Sequence, residues 1–151
     1  MSDTVASILL HKGSDVWSIA PDASVYDAIA LMAGRSVGAL LVMQGGSLVG
    51  ILSERDYARK VVLQGRSSKD TRVSEIMTSP VISVSPKHDV HDCMELVTAH
   101  RIRHLPVLDG DRVAGIVSIG DLVRKIVATH EETITHLHEY IVGSQAISPR
   151  S

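Results

Sequence analysis

Apolar residues recur along this chain with two different periods, which predict where its helices and strands form. Two sets of apolar positions have helical spacing: Val25, Ala28, Ile29, Met32 and Ala33, and later Val90, Cys93, Met94 and Val97. Ser24 and Asp89 directly precede these sets, and each stands three residues before an aspartate, which is typical of a helix start. The pattern therefore predicts two helices, each with one buried face.

Each predicted helix is followed by two β-rich runs with a turn between them. The runs cover 38–43 and 48–52 after the first helix, and 103–108 and 113–117 after the second, with glycine in each intervening turn. These are hairpin signals. A short extended piece precedes Pro21 and Pro86, and Ser53 and Ser118 open a further helix. The order β-α-β-β-α thus occurs twice.

The two halves are copies of one unit. Residues 17–61 align without a gap with 82–126, at an offset of 65, and 14 of the 45 positions are identical. Units of this size seldom bury enough surface to stand alone, whereas two copies can cover each other's apolar faces. We expect an α/β (α+β) fold in which the repeats form a pseudo-twofold pair within one compact module.

The same pattern sets the expected boundaries. The first repeat covers 4–66, with its core at 17–61; the linker covers 67–81; the second repeat covers 82–128. A C-terminal helix is expected over 129–142 and a flexible tail over 143–151. A short helical piece in the linker, around Val73, is expected to play the same role as residues 4–11 before the first repeat.

Composition and charge narrow the function classes. Lysine and arginine number 15 against 17 aspartate and glutamate, a net charge of −2, so nucleic acid is not expected as a partner. The apolar runs are too short to span a bilayer and the first residues lack a basic leader, which favours the cytoplasm and no membrane. Cys93 is the only cysteine and is expected to be a small core residue. No metal site is expected.

Two Ser-x-x-Asp segments carry the candidate chemistry. Ser53 and Ser118 stand at predicted helix starts, where a hydroxyl and free backbone N–H groups suit a phosphate. Asp56 and Asp121 follow one turn later, where a carboxylate can accept both hydroxyls of a ribose. The same pattern is also a capping box, in which both side chains only satisfy their own backbone. Glycine at 50 and 115 would let a ligand approach each strand closely.

These segments carry a family resemblance. The sequences GILSERD at 50–56 and GIVSIGD at 115–121, with RHLPVLD at 103–109, resemble the tandem cystathionine β-synthase (CBS) domain pair, or Bateman module. The resemblance spans about 4–142 and is closest to small bacterial stand-alone CBS-pair proteins. It implies two clefts between the repeats that bind adenosine-containing ligands: AMP, ADP, ATP, NAD-type dinucleotides or S-adenosylmethionine. It also implies disc-like dimers that act as sensors.

The resemblance also assigns residues to each cleft. The first cleft would join Ala20, Val25 and Leu48 to Ile116, Ser118 and Asp121; the second would join Ser85, Val90 and Val113 to Ile51, Ser53 and Asp56. Arg103 and His104 would make the first cleft the more cationic. Arg55 could reach a phosphate in the second, or form only a surface salt bridge. The apolar members could equally be plain core.

The leading hypothesis is a non-enzymatic adenine-nucleotide sensor that modulates an unidentified partner protein in trans. A homodimer is expected, because a terminal stretch with Ile134, Leu137, Tyr140 and Ile141 offers a further apolar stripe. The alternative is a ligand-independent dimerisation or scaffold module. A nucleotide-processing enzyme ranks last, because no activated nucleophile or general-base pair accompanies the phosphate corner.

Overall fold

The computed structural model describes residues 3–145, with the side chains of 133–137 and 139–145 outside the description. Its elements are α1 (Val5–Lys12), β1 (Ser18–Ile19), α2 (Val25–Arg35), β2 (Ala39–Gln44), β3 (Ser47–Ser53), α3 (Glu54–Tyr57, continued by a π-helical turn, Ala58–Val62), α4 (Val73–Ile76), α5 (Val90–His100), β4 (His104–Asp109), β5 (Arg112–Ser118) and α6 (Ile119–Gln145). The predicted order of elements is confirmed, except that the first strand of the second repeat is reduced to a single bridge at Val84.

The two predicted helix starts are capped as expected. Ser24 Oγ accepts a hydrogen bond from the backbone N–H of Asp27 at 3.1 Å. Asp89 Oδ1 accepts one from the backbone N–H of His91 at 2.7 Å. Both satisfy N–H groups that have no partner within the helix, and so help to decide where α2 and α5 begin.

Each repeat forms its own small sheet. In the first, β1 pairs in parallel with β2, and β2 pairs antiparallel with β3. In the second, β4 pairs antiparallel with β5, and the counterpart of β1 is a single parallel bridge between Val84 and Val107. Both hairpins have a register shift at the same place in the repeat, after Val42 and after Val107. The mixed helix-and-sheet fold class is confirmed.

Each repeat's core is completed by the helix that precedes the other repeat. Val73 and Ile76 of α4 belong to the core formed by α2 and β2–β3, whereas Val5 and Ile8 of α1 belong to the core formed by α5 and β4–β5. Backbone bonds hold this exchange, from Val73 N to Ala23 O and from Val5 N to His88 O, both 2.9 Å. The exchange ties the repeats together.

The C-terminal part of the second repeat is one continuous helix. Ser118 opens α6, which runs without a break to Gln145, so the segment expected as a C-terminal helix, 129–142, is the second half of α6. The side chains of the apolar stripe, Ile134, Leu137, Tyr140 and Ile141, lie outside the described residues, as do residues 146–151 of the expected tail.

Gly50 and Gly115 do not serve the purpose expected of them. A Cβ at Gly50 would lie 2.5 Å from Met77 Sδ, and one at Gly115 would lie 2.8 Å from Leu9 Cδ2. Each glycine therefore makes room for a side chain that follows α4 or belongs to α1, rather than for a ligand. The expectation of close ligand approach at these strands was wrong.

Candidate functional site

Among the described residues, a cavity of about 700 Å³ lies between the repeats. Its lining residues come from the end of β3 and from α3 in one repeat, and from the segment before β4 and the start of α6 in the other; they include Ile51, Ser53, Glu54, Arg55, Asp56, Arg59, Lys60, Thr78, Ile82, Arg101, Ile102, Arg103, His104, Ser118 and Ile119. A volume of this size can hold a nucleotide-sized ligand.

One corner of this cavity is the first Ser-x-x-Asp segment. Asp56 Oδ2 accepts from the backbone N–H of Ser53 at 2.9 Å and from its hydroxyl at 3.0 Å. The backbone N–H of Asp56 donates to Ser53 Oγ at 3.2 Å, which completes a capping box. The other carboxylate oxygen, Oδ1, accepts from the Thr78 hydroxyl at 3.3 Å and faces Lys60 Nζ at 3.2 Å. These two contacts are long, so Oδ1 is held less firmly than Oδ2.

The cavity carries an excess of positive charge. Five lysine and arginine residues line it, namely Arg55, Arg59, Lys60, Arg101 and Arg103, against two carboxylates, Glu54 and Asp56. Among the described residues, only Lys60 of these five has a carboxylate within salt-bridge distance. Arg55 makes no such bridge, and its guanidinium lies 3.5 Å from the carbonyl oxygen of Arg101. Unpaired guanidinium groups around one cavity suit an anion such as a phosphate chain.

The same cavity also has an apolar side, which is formed by isoleucine side chains. Ile51 of the first repeat and Ile82, Ile102 and Ile119 of the second line the same cavity. Branched aliphatic side chains present the kind of flat apolar wall against which a purine can pack. The cavity thus combines an apolar wall with a cationic corner.

A second, smaller cavity of about 390 Å³ repeats this arrangement. Eight of its lining positions match those of the larger cavity by the 65-residue offset: Gly13, Trp17, Ser36, Val37, Gly38, Ala39, Ile116 and Ser118 correspond to Thr78, Ile82, Arg101, Ile102, Arg103, His104, Ile51 and Ser53. The pseudo-twofold relation therefore extends from the fold to its clefts. The two arginines of the larger cavity are not repeated, because the counterparts of Arg101 and Arg103 are Ser36 and Gly38, and Lys12 is the cation that lines the smaller cavity among the described residues.

Asp121 is the counterpart of Asp56 but has stronger internal partners. Its Oδ2 accepts from the backbone N–H of Ser118 at 2.8 Å and from Lys12 Nζ at 2.7 Å, and its Oδ1 accepts from Arg124 at 2.6 Å. Burial by itself would raise the pKa of Asp121, but the bonds from Lys12 and Ser118 outweigh burial and lower it. The ionised form is thus stabilised from within the chain.

His104 lines both cavities. Its imidazole also lies close to Gly38, where a Cβ would be 3.7 Å from the ring. Burial lowers the pKa of His104, and the charges of Lys12 and Arg103 lower it further, whereas Asp121 and Glu54 act in the opposite direction.

Only some of the residues that the resemblance assigns to the clefts line a cavity in the structure. Ile51, Ser53, Arg55 and Asp56 lie together in the larger cavity, while Ile116 lies in the smaller and Ser118 lines both. Val25 and Val90 are fully buried in the cores of their own repeats, as the core alternative described. Within the described part of the chain, Ala20, Leu48, Ser85, Val113 and Asp121 line neither cavity.

The charge assignment of the clefts was reversed. Arg103 lines the cavity that contains Asp56, not a cleft with Asp121, so the Asp56 cavity is the more cationic. The reason is that the residues before β4 face the motif of the other repeat across the junction. Arg59, Arg101, Ile82 and Ile102 also line this cavity and were not predicted from the sequence.

Two further observations concern other classes of site. Within residues 3–145, no helix is both long enough and apolar enough to cross a membrane. In the same described part, no three side chains of histidine, cysteine, aspartate or glutamate come together as metal ligands would.

Comparison with known proteins shows which family has this architecture. The family model described as "CBS domain" matches residues 5–63 and 73–128. The mitochondrial CBS domain-containing protein CBSX3 of Arabidopsis thaliana is 43% identical over 152 residues, which cover 94% of this chain and 73% of that protein.

Two solved structures are similar over most of their length. A protein with CBS domains from Burkholderia ambifaria MC40-6 has 54% identity and a TM-score of 0.81, over 83% of this chain and 95% of that one. The CBS domain pair of protein MJ0100, in complex with 5′-methylthioadenosine and S-adenosyl-L-methionine, has 25% identity and a TM-score of 0.76, over 85% of this chain and 99% of that one. The chain belongs to the CBS domain family, with two repeats forming one CBS pair.

Proposed function

We propose that this CBS pair is a regulatory module that binds an adenine nucleotide in the larger cavity and passes its occupancy to a partner protein in trans. The candidate ligands are AMP, ADP, ATP and NAD-type dinucleotides. The observation that carries the proposal is the cavity itself, of about 700 Å³, with five lysine and arginine side chains against two carboxylates. A module of this kind is not an enzyme.

The contacts expected for the ligand follow from the lining. The purine would pack against the isoleucine wall, and the ribose hydroxyls would donate to Asp56 Oδ1, the oxygen with the longer contacts. The phosphates would meet the Ser53 hydroxyl and the guanidinium groups of Arg55, Arg59, Arg101 and Arg103. The adenosyl ligands of the MJ0100 CBS pair support the choice of nucleoside.

The form of the protein in the cell is part of the same proposal. We expect a homodimer in the cytoplasm, whose partner protein reads a ligand-dependent change in the module or in the dimer. The exposed valines at 62 and 127, which match by the 65-residue offset, support a pairing surface formed by both repeats.

Binding can be tested with a nucleotide panel. Thermal unfolding of the full chain is followed with AMP, ADP, ATP, NAD and S-adenosylmethionine, and with inorganic phosphate as the control. A ligand at 100 times its Kd adds about 2.7 kcal/mol to the free energy of unfolding, which raises Tm by roughly 5 to 10 °C for a chain of this size. No shift with any adenosyl compound would overturn the proposal.

A ligand-independent dimerisation or scaffold module is the second candidate. It is favoured by the capping boxes, because Ser53 and Asp56 satisfy each other's backbone groups, as do Ser118 and Asp121. The same panel separates the two candidates, since a scaffold would dimerise and yet show no shift with any nucleotide.

A further inference from the structure

The two aspartates of the repeated motif differ in their access to the clefts. Asp56 lines the larger cavity. Asp121, at the matching position, lines neither cavity, and Lys12 lines the smaller one. The side chain of Asp121 is 7% exposed, half the value of 14% for Asp56. A lysine therefore stands between the second cleft and its aspartate.

The hydrogen bonds of Lys12 hold its ammonium group against Asp121. Its ammonium group lies 2.7 Å from Asp121 Oδ2 and donates to the carbonyl oxygen of Ile116 at 3.1 Å. Arg124 takes the other carboxylate oxygen at 2.6 Å. Both oxygens of Asp121 thus accept short, charge-assisted hydrogen bonds, whereas Asp56 Oδ1 has partners only at 3.2 and 3.3 Å.

The difference between the repeats originates in two helices of unequal length. Val5, Ile8 and Leu9 of α1 take the places in one repeat that Val73, Ile76 and Met77 take in the other. The helix α4 ends at Ile76, and Met77 is already extended, but α1 continues for another turn and ends at Lys12. That extra turn carries the ammonium group to Asp121.

We infer that Lys12 is a built-in competitor for a ligand of the second cleft, so that the chain fills the Asp56 cavity first and the Asp121 cavity only when Lys12 withdraws. The inference rests on the proposed function. A ribose needs the lone pairs that Lys12 and Arg124 occupy on Asp121, and the lysine side chain takes up space in a cavity of only about 390 Å³. Lys12 is thus a specificity-determining residue that makes the two related sites unequal.

Calorimetric titration of the full chain with AMP and, separately, with ATP tests this inference. The wild type is expected to bind about one nucleotide per chain tightly. Lys12→Met keeps an unbranched side chain one atom shorter and removes the charge, and is expected to tighten the second site by about ten- to hundredfold, the equivalent of one lost charge-assisted bond. Lys12→Gln is the second variant, and thermal unfolding checks that both are folded.

The controls assign each site. Lys87→Met removes an exposed lysine that lines neither cavity and is expected to behave as the wild type. Asp56→Ala in the Lys12→Met background is expected to leave only the newly opened site, and Asp121→Ala only the original one. Two equal sites in the wild type, or an unchanged second site in both folded Lys12 variants, would overturn the inference. No binding by the wild type or any variant would overturn the proposed function, and the inference with it.

Discussion

Asp56 and Asp121 occupy the same place in two copies of one motif, yet their neighbours give them different chemistry. Asp56 faces a cavity whose cations are largely unpaired, whereas Asp121 is already neutralised by Lys12 and Arg124. A ligand at Asp56 therefore replaces weak contacts, and a ligand at Asp121 must displace strong ones. The identity of a motif residue alone does not decide whether it is available for binding.

Arg103 offers a direct test of phosphate recognition. Arg103→Ala is expected to weaken ATP binding by roughly 10- to 150-fold, because a charge-assisted contact of about 1.5 to 3 kcal/mol is lost, and to leave adenosine nearly unaffected. Calorimetry with both ligands measures the difference. Arg112→Ala, at an exposed position in the β4–β5 hairpin, is the matched control. An equal loss for ATP and adenosine would mean that Arg103 does not contact phosphate.

His104 is expected to make stability depend on pH. Its pKa in the folded state is lowered by burial, so the unfolded chain binds a proton that the folded chain does not. Stability from this residue is fully present above the unfolded pKa, about 6.5, and is lost as the pH falls toward the folded value. The charged groups that set this folded pKa are Lys12, Arg103, Asp121 and Glu54.

Urea unfolding between pH 7.5 and 5.5 measures this dependence. His104→Gln is expected to lose less stability over that range than the wild type does, because residue 104 no longer titrates. His91→Gln, at an exposed position, should keep the wild-type slope. A slope unchanged by His104→Gln would show that other histidines account for the effect.

At the scale of the elements, the exchange of α1 and α4 depends on two glycines in the strands beneath them. Met77 packs so closely on Gly50 that a Cβ there would lie within 3.3 Å of the Cβ, Cγ and Sδ atoms of Met77. The methionine cannot clear the space by turning only its end. The packing of α4 on β3 therefore depends on the glycine at position 50.

Gly50→Ala is expected to destabilise the fold by about 1 to 3 kcal/mol, the usual cost of overpacking. In the Met77→Ala background the same change is expected to cost less than in the wild type, because the side chain in the way is gone. Gly34→Ala is the control, since Gly34 lies in α2 with open space around its Cα and is expected to gain about 0.5 to 1 kcal/mol. Urea unfolding gives all four values. A neutral Gly50→Ala would contradict the packing account.

At the scale of the whole molecule, the two repeats present matching exposed apolar residues. Val62 is 55% exposed and its counterpart Val127 is 48% exposed, with Leu63 and Val123 beside them. Exposed apolar side chains at the same place in both repeats are a reason to expect an isologous contact with a second copy of the chain.

Light scattering is expected to give twice the 16.2 kDa mass of the chain at tens of micromolar. The double variant Val62→Asp, Val127→Asp is expected to be monomeric and still folded, because both side chains are exposed in the single chain. A monomeric wild type, or an assembly larger than two, would reject the homodimer.

The sequence by itself determined the local structure and its repetition. Helix caps such as Ser24, the apolar periods and the turn glycines act over a few residues, so they can be recognised without the rest of the chain. The 65-residue offset then made the pairing of the repeats and the family resemblance predictable, because a unit of this size needs a second copy to bury its apolar face.

Only the tertiary structure decided which residues share a cavity. Val25 and Val90 have the apolar character of a base pocket but point into their own cores, and Arg103 joins Asp56 rather than Asp121. Lys12 and Asp121 are 109 positions apart and meet because α1 packs on the other repeat. Contacts of this kind depend on how helices cross between repeats, which no local pattern of residue types records.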